Sequence, residues 1–142
     1  MTFTGLNIVG VIVAFGFSFV SGAIWFGPKT FYPIWMKERG IASGQLNANQ
    51  NKPVLLFGGT ILGIIAQTLT VALVITSLQH AGTEVSVAAG AGIGLALGLG
   101  IGAFASLSHR LFGGESLKVW IIETANDVIN VTIAGAIIAF FN

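Results

Sequence analysis

Leu117–Phe141 reads LKVWIIETANDVINVTIAGAIIAFF, apolar along its length except for Glu123, Asn126, Asp127 and Asn130 near its middle. Steps of three and four residues are one-turn neighbours on a helix, so these four side chains share a stripe with the Glu123 and Asp127 carboxylates one turn apart. The segment is long enough to cross a bilayer, which takes about 20 predominantly apolar residues. Charge inside a span is costly, so such residues face other protein or a water-filled cavity and mark a candidate site. Two carboxylates at this spacing repel each other, which predicts that they titrate as a coupled unit.

The rest of the chain has the same solvent preference. Hydrophobic residues make up 54% of 142 and charged residues only 8%, against roughly 25% charged in soluble domains. Mean hydropathy is +0.90. A formal net charge of +1 supplies no basic face for nucleic acid, and the absence of cysteine removes disulfides, thiolate nucleophiles and Cys-based metal sites. No cofactor is implied.

Four spans are predicted: Leu6 to Phe26, Pro53 to Leu78, Val85 to Leu107 and Leu117 to Phe141. The fold class is therefore all-α, a four-transmembrane-helix bundle forming one domain over residues 1–142. Nothing before Lys29 is charged, so the first span lacks the basic leader of a cleavable signal and is kept as a span. Lys29, Lys37, Arg39 and Lys52 fall between spans one and two, and Arg110 and Lys118 between spans three and four. Cytoplasmic loops collect Lys and Arg, so both termini are expected on the non-cytoplasmic side. Trp25, Tyr32, Trp35 and Trp120 gather at the same basic interface, where amphipathic rings anchor a helix in the headgroup layer. Membrane lipid is thus the one partner the composition itself demands.

In the first span Gly10, Ala14, Ser18 and Gly22 form a period-four small-residue stripe suited to close helix packing. After Gly27-Pro28 the helix must stop or kink. The following KTFYPIWMKERG mixes aromatic and basic residues and reads as a short interfacial helix. From Ile41 to Asn51 the chain is polar and uncharged, and Asn51 is suited to cap a second span entered through Lys52 and Pro53. Gln67 is that span's strongly polar side chain, and in an antiparallel arrangement it lies level with Asp127, the first contact to expect. Gly58, Gly59 and Gly63 point to close packing nearer the basic end.

The third span carries Gly90, Gly94, Gly98 and Gly102 in one row and Gly92, Ala96 and Gly100 in a second. Glycine costs a helix about 1 kcal/mol relative to alanine in water, so such rows call for close backbone contact, within the chain or across a subunit boundary. They are not a phosphate loop, since no Lys-Ser/Thr adjoins them. The short link LFGGES makes spans three and four antiparallel neighbours, which places His109 and Arg110 near the start of the fourth. At 1.5 Å per residue Glu123 lies roughly 9 Å beyond Leu117 and Asp127 about 15 Å beyond it, so either base is better placed to pair with Glu123 than with Asp127. His80 and His109 fall at opposite faces, which leaves no metal ligand set. Ser106 and Ser108 beside His109, with Glu123 as third member, lack the spacing of a hydrolase triad, so the reading is non-enzymatic.

Two segments carry a resemblance. AIWFGPKTFYPIWMKERG, from Ala23 to Gly40, is similar to the motif that ends the first helix in the domain of unknown function family 1761. SHRLFGGESLKVWIIETANDVINVTIAGAIIAFF resembles that family's final loop and helix, with a Phe-x-x-x-x-Leu-Lys pattern from Phe112 to Lys118 and a closing Gly-Ala-Ile-Ile. Where family members often have Gly-Tyr in the last helix, this sequence has Asn126-Asp127. The resemblance implies a bacterial four-helix protein of the inner membrane with no assigned activity.

Two functional readings follow. The first is a structural or accessory subunit, a homo-oligomer or part of a larger membrane complex, joined along the glycine rows. The second is a proton or cation channel or transporter using Glu123 and Asp127 with Asn126, Asn130 and Gln67.

Overall fold

Asn7 starts the first helix. Its side chain accepts the amide N–H groups of Val9 and Gly10, and α1 then runs Ile8–Trp25. Gly27-Pro28 ends it, and the Thr30 hydroxyl donates back to the freed carbonyls of Ile24 and Trp25 at 2.5 and 2.7 Å. The computed structural model describes residues 4–40 and 53–142, and all regular structure among them is helical. After α1 come a short α2, Tyr32–Glu38, with Pro33 in its first turn, and the long α3, Pro53–His80. The next crossing has three parts: α4, Val87–Ala96; a π-helical segment, Leu97–Ala103; and α5, Phe104–Phe112. The final helix, α6, is Leu117–Phe141. Ser86 and Ser116 cap α4 and α6 by accepting the amides of Ala89 and Val119.

Four of these crossings are long and apolar enough to span a membrane: Ile8–Trp25, Val54–His80, Val87–Phe112 and Leu117–Phe141. The third differs from expectation, because helix continues past Leu107 to Phe112 and carries His109 and Arg110 on its last turn rather than in a loop. It stops only at Gly113 and Gly114, where a φ of +78° at Gly114 lets the Glu115 amide reach the Arg110 carbonyl. The second crossing likewise runs on to His80, closed by Gly82 at φ +84°. The expected Asn51 cap, Lys52 and the polar stretch 41–51 lie outside the described residues.

Both ends of the chain meet at one end of the bundle. Asn7 Nδ2 donates to the Phe141 carbonyl at 2.6 Å, Asn142 Nδ2 to Gln79 Oε1 at 3.1 Å, and His80 Nε2 lies 2.7 Å from the Thr4 carbonyl. Lys29, Lys37, Arg39, Arg110 and Lys118 lie toward the other end: Lys29 after α1, Lys37 and Arg39 at the end of α2, Arg110 on the last turn of α5 and Lys118 on the first turn of α6.

α6 is the helix the others pack around, touching α1, α3 and the α4–π segment. It meets α4 backbone to backbone: a Cβ added to Gly90 or Gly94 would overlap the carbonyl oxygens of Gly135 and Val131, and one added to Gly135 would overlap that of Gly90. Gly98 stands over Val128, where an added Cβ would come within 3.2 Å of its Cα. The row then changes step. Gly102 is exposed and Ala103 is 3% exposed, so the buried series is Gly90, Gly94, Gly98, Ala103, with a final interval of five that matches the i→i+5 bonding of the π turn. The second row, Gly92, Ala96 and Gly100, is exposed, and Gly92 and Gly100 have only open space where a Cβ would stand. Gly58, Gly59 and Gly63 likewise meet nothing, so they do not serve packing within the chain. The α1 stripe also faces α6: Gly10 meets Phe141 and Ile138, and Gly22 meets Asn126, a register that sets Ser18 level with Asn130.

Gly94→Leu should therefore separate α4 from α6 and destabilise the fold by about 3 kcal/mol, at the upper end of overpacking costs. Gly92→Ala, into open space, should be neutral or stabilising by up to ~1 kcal/mol. Denaturant unfolding of the purified protein in mild detergent separates the two. Equal destabilisation by both would contradict the one-sided packing.

Candidate functional site

The four polar residues of α6 do not form one site. Asn126 and Asn130 are each 5% exposed, Asn126 against Gly22 of α1, and their Oδ1 atoms have no hydrogen-bond donor among the described groups. Asp127 is one residue, or about 100° of helix, away from Asn126. It is exposed into a cleft between α3 and the π–α5–α6 side of the bundle. The i, i+3, i+4, i+7 stripe is wide enough to straddle two neighbours, and the packing of α1 divides it.

Glu123 sits on the cleft side and is 17% exposed by side chain. Its Oε1 accepts the indole N–H of Trp35 at 2.7 Å and lies 4.0 Å from Arg39 Nη1. Its Oε2 is 2.6 Å from Arg110 Nη1, a charge contact without the alignment of a hydrogen bond. Glu115 completes the group, accepting from Arg39 Nη2 at 2.9 Å and from Arg110 Nη1 at 2.6 Å. Two guanidinium groups thus face two carboxylates, and the Arg39 guanidinium also stacks 5.0 Å from the Trp35 ring. Asp127, one turn deeper, has no ion-pair partner within 4.0 Å among the described residues.

The cleft has a volume of about 380 Å³. Gln67 and Asp127 line opposite walls with no hydrogen bond between them; Ser106, Arg110, Glu123 and Thr124 add polar lining nearer the basic end, and Thr70, whose hydroxyl donates to the Ala66 carbonyl, adds it on the other side of Gln67. Val71, Leu97, Ile101 and Val131 make its apolar surface. His109 is exposed on α5 and contributes nothing to the Glu123 cluster, because it lies about 100° from Arg110 around the helix. Among the described residues no group of His and acidic side chains is arranged to hold a metal ion.

The aromatic residues at this end are tied to protein. Trp25 Nε1 donates to the Ile122 carbonyl at 2.9 Å, and Trp120 Nε1 to the Ala103 carbonyl at 3.1 Å and to Ser106 Oγ at 3.2 Å. Tyr32 stacks on Trp35 with ring centroids 5.9 Å apart. α2 is further pinned to α6 by Lys118 Nζ, 2.8 Å from Glu38 Oε1.

A family model described as a protein of unknown function, DUF1761, matches residues 9–139, nearly the whole chain. The chain belongs to the DUF1761 family. No curated protein and no solved structure matches it. In this DUF1761 protein Arg39 and Glu115 join Glu123 and Arg110 in the ion-pair cluster, and neither belongs to the polar stripe of α6. A signal for Arg39 was present: it caps α2 four residues after Trp35, one helical turn on, so the end of that helix presents two groups to Glu123 on one face. Glu115 stands 76 residues from Arg39, and nothing local announced the pair.

Arg110→Leu should cost about 1–3 kcal/mol of stability, a partly exposed version of breaking a buried pair, because Glu115 and Glu123 lose their nearest shared cation. Adding Glu123→Leu should recover part of that loss in a double-mutant cycle; strict additivity would mean the pair is not coupled. The Glu38 latch has an acid limit. Its hydrogen bond to Lys118 holds the Glu38 carboxyl below the ordinary 4.5, against a smaller opposing effect of burial. Its contribution is therefore complete above pH 4.5 and is lost as pH falls through the lower folded value. Amide-exchange protection in α2 should hold from neutral pH to about 4.5 and drop below it, and Lys118→Met should remove the drop.

Proposed function

We propose that the protein is a component of the bacterial cytoplasmic membrane that takes up and releases a proton or other monovalent cation at Asp127, with its basic end in the cytoplasm and both termini outside. The observation that carries the reading is charge matching. Arg39 and Arg110 are balanced by Glu115 and Glu123, which leaves Asp127 as the acid over, facing a cleft near the middle of its helix. A carboxylate at that depth is stable only with a proton or a countercharge, and among the described residues no basic group lies within 4.0 Å of Asp127 to supply the latter. The fall of all six Lys and Arg residues of the sequence within the two stretches 29–52 and 110–118 supports the orientation.

The exposed Gly92–Ala96–Gly100 row supports a second reading, an accessory subunit joined to a copy of itself or to another membrane chain along that face. The two readings are compatible, since the row and the cleft use different sides of the α4–π helix.

In liposomes holding a pH-sensitive dye, wild-type protein should dissipate an imposed pH or Na⁺ gradient, and Asp127→Asn should lower that flux at least tenfold while Gly92→Ala leaves it unchanged. The chain has no cysteine, so one introduced at the exposed Lys29, after α1, and probed with an impermeant thiol reagent reports orientation in the same vesicles. Flux indifferent to Asp127 would leave the subunit reading alone.

A further inference from the structure

The cleft is far larger than a proton or a bare ion requires. One water molecule occupies about 30 Å³ of liquid, and the cleft holds about 380 Å³. Most of its surface comes from Val71, Leu97, Ile101, Val131 and their apolar neighbours, and water gains few hydrogen bonds there. A pocket of a few hundred cubic ångströms, apolar apart from a few fixed polar groups, is the general form of a small-molecule site.

We infer that the natural occupant is an amphiphilic organic cation, an alkylated ammonium whose charge rests on Asp127 and whose hydrocarbon body fills the apolar part of the cleft. This rests on the Asp127 reading above and names the class of cation it takes. Charge complementarity selects a cation rather than a neutral or anionic lipid fragment, because Asp127 is the charged group of the cleft with no ion-pair partner within 4.0 Å among the described residues. Gln67, on the facing wall, offers its amide oxygen to the same head group. At the basic mouth the guanidinium groups of Arg39 and Arg110 are matched by Glu115 and Glu123, so they raise no net positive barrier.

The packing also supplies a route. α3 is buried through Thr68, Val71, Ala72, Ile75 and Thr76 and is exposed over most of its length before them, so it parts from the bundle toward the basic end. On the other lip the π turn rotates Gly102 away from α6, leaving a side-chain-free position beside Ile101, which is 66% exposed. That lip belongs to a crossing apolar enough to span the membrane, so the opening faces acyl chains and admits a solute already dissolved in the bilayer.

The test uses full-length protein in lipid nanodiscs and equilibrium titration with tetramethylammonium, butyltrimethylammonium and hexyltrimethylammonium, subtracting uptake by empty discs. Wild-type affinity should rise about fourfold per methylene, the value of ~0.8 kcal/mol per buried CH₂. Asp127→Asn should abolish saturable binding, Asp127→Glu should restore part of it, and Glu84→Gln at the opposite end should leave it unchanged. Gly102→Leu, which narrows the lip, should weaken the alkylated cations at least tenfold. Alkyl cations bound equally by wild type and Asp127→Asn overturn the inference. Asp127-dependent flux with no Asp127-dependent gain from chain length also overturns it, while leaving the cation reading standing. If neither binding nor flux responds to Asp127, both fall.

Discussion

The backbones of α4 and α6 touch, and the rest of the bundle depends on that contact. Gly90, Gly94 and Gly135 bring carbonyls and amides of the two helices to distances that no Cβ would permit. In lipid, apolar side chains gain little by leaving acyl chains for each other, so association must come from close van der Waals contact between well-shaped surfaces. Glycine costs helical stability and returns it as shape. The same logic recurs where Gly10, Ala14 and Ser18 of α1 are buried on α6. With α1 and α4 held tightly, α6 becomes the axis, and α3 is left to lean on it over only part of its length.

The π segment converts this packing into a site. Keeping a small residue against α6 at every turn would require Gly102, yet the structure buries Ala103 instead by adding one residue to the turn. The Ala103 carbonyl then accepts both the Ser106 hydroxyl and the Trp120 indole, which secures the distorted turn to the start of α6. Gly102 rotates outward, and the gap between it and α3 is the cleft that holds Asp127. Insertions of this kind in helices occur often at functional positions.

Electrostatics at the basic end divide three carboxylates by role. Glu115 and Glu123 bind two arginines from different parts of the chain and join α2, α5 and α6 into one corner. Trp35 adds an indole N–H to Glu123 and a ring face to Arg39. Asp127 takes part in none of these ion pairs. The asymmetry arises from depth: arginine side chains anchored near the helix ends reach one turn into the bundle but not two.

Much of the architecture was legible from residue order, because crossing a bilayer sets a length and an apolarity that any helix must meet. Four spans, their near-boundaries and the shared basic end are local properties of that kind. Which way each helix turns was not legible. A span is apolar on every side, so polarity does not distinguish a face that meets lipid from one that meets protein, as it does in a soluble amphipathic helix. Two glycine rows of equal standing were therefore visible, and only packing chose Gly90, Gly94 and Gly98 over Gly92 and Gly100. The polar stripe of α6 was visible as one unit, and only the positions of α1 and α3 divided it, sending Asn126 and Asn130 inward and Asp127 to the cleft. The Arg39–Glu115 contact joins residues 76 apart, and such pairing is decided by the folded arrangement of helices rather than by any spacing along the chain.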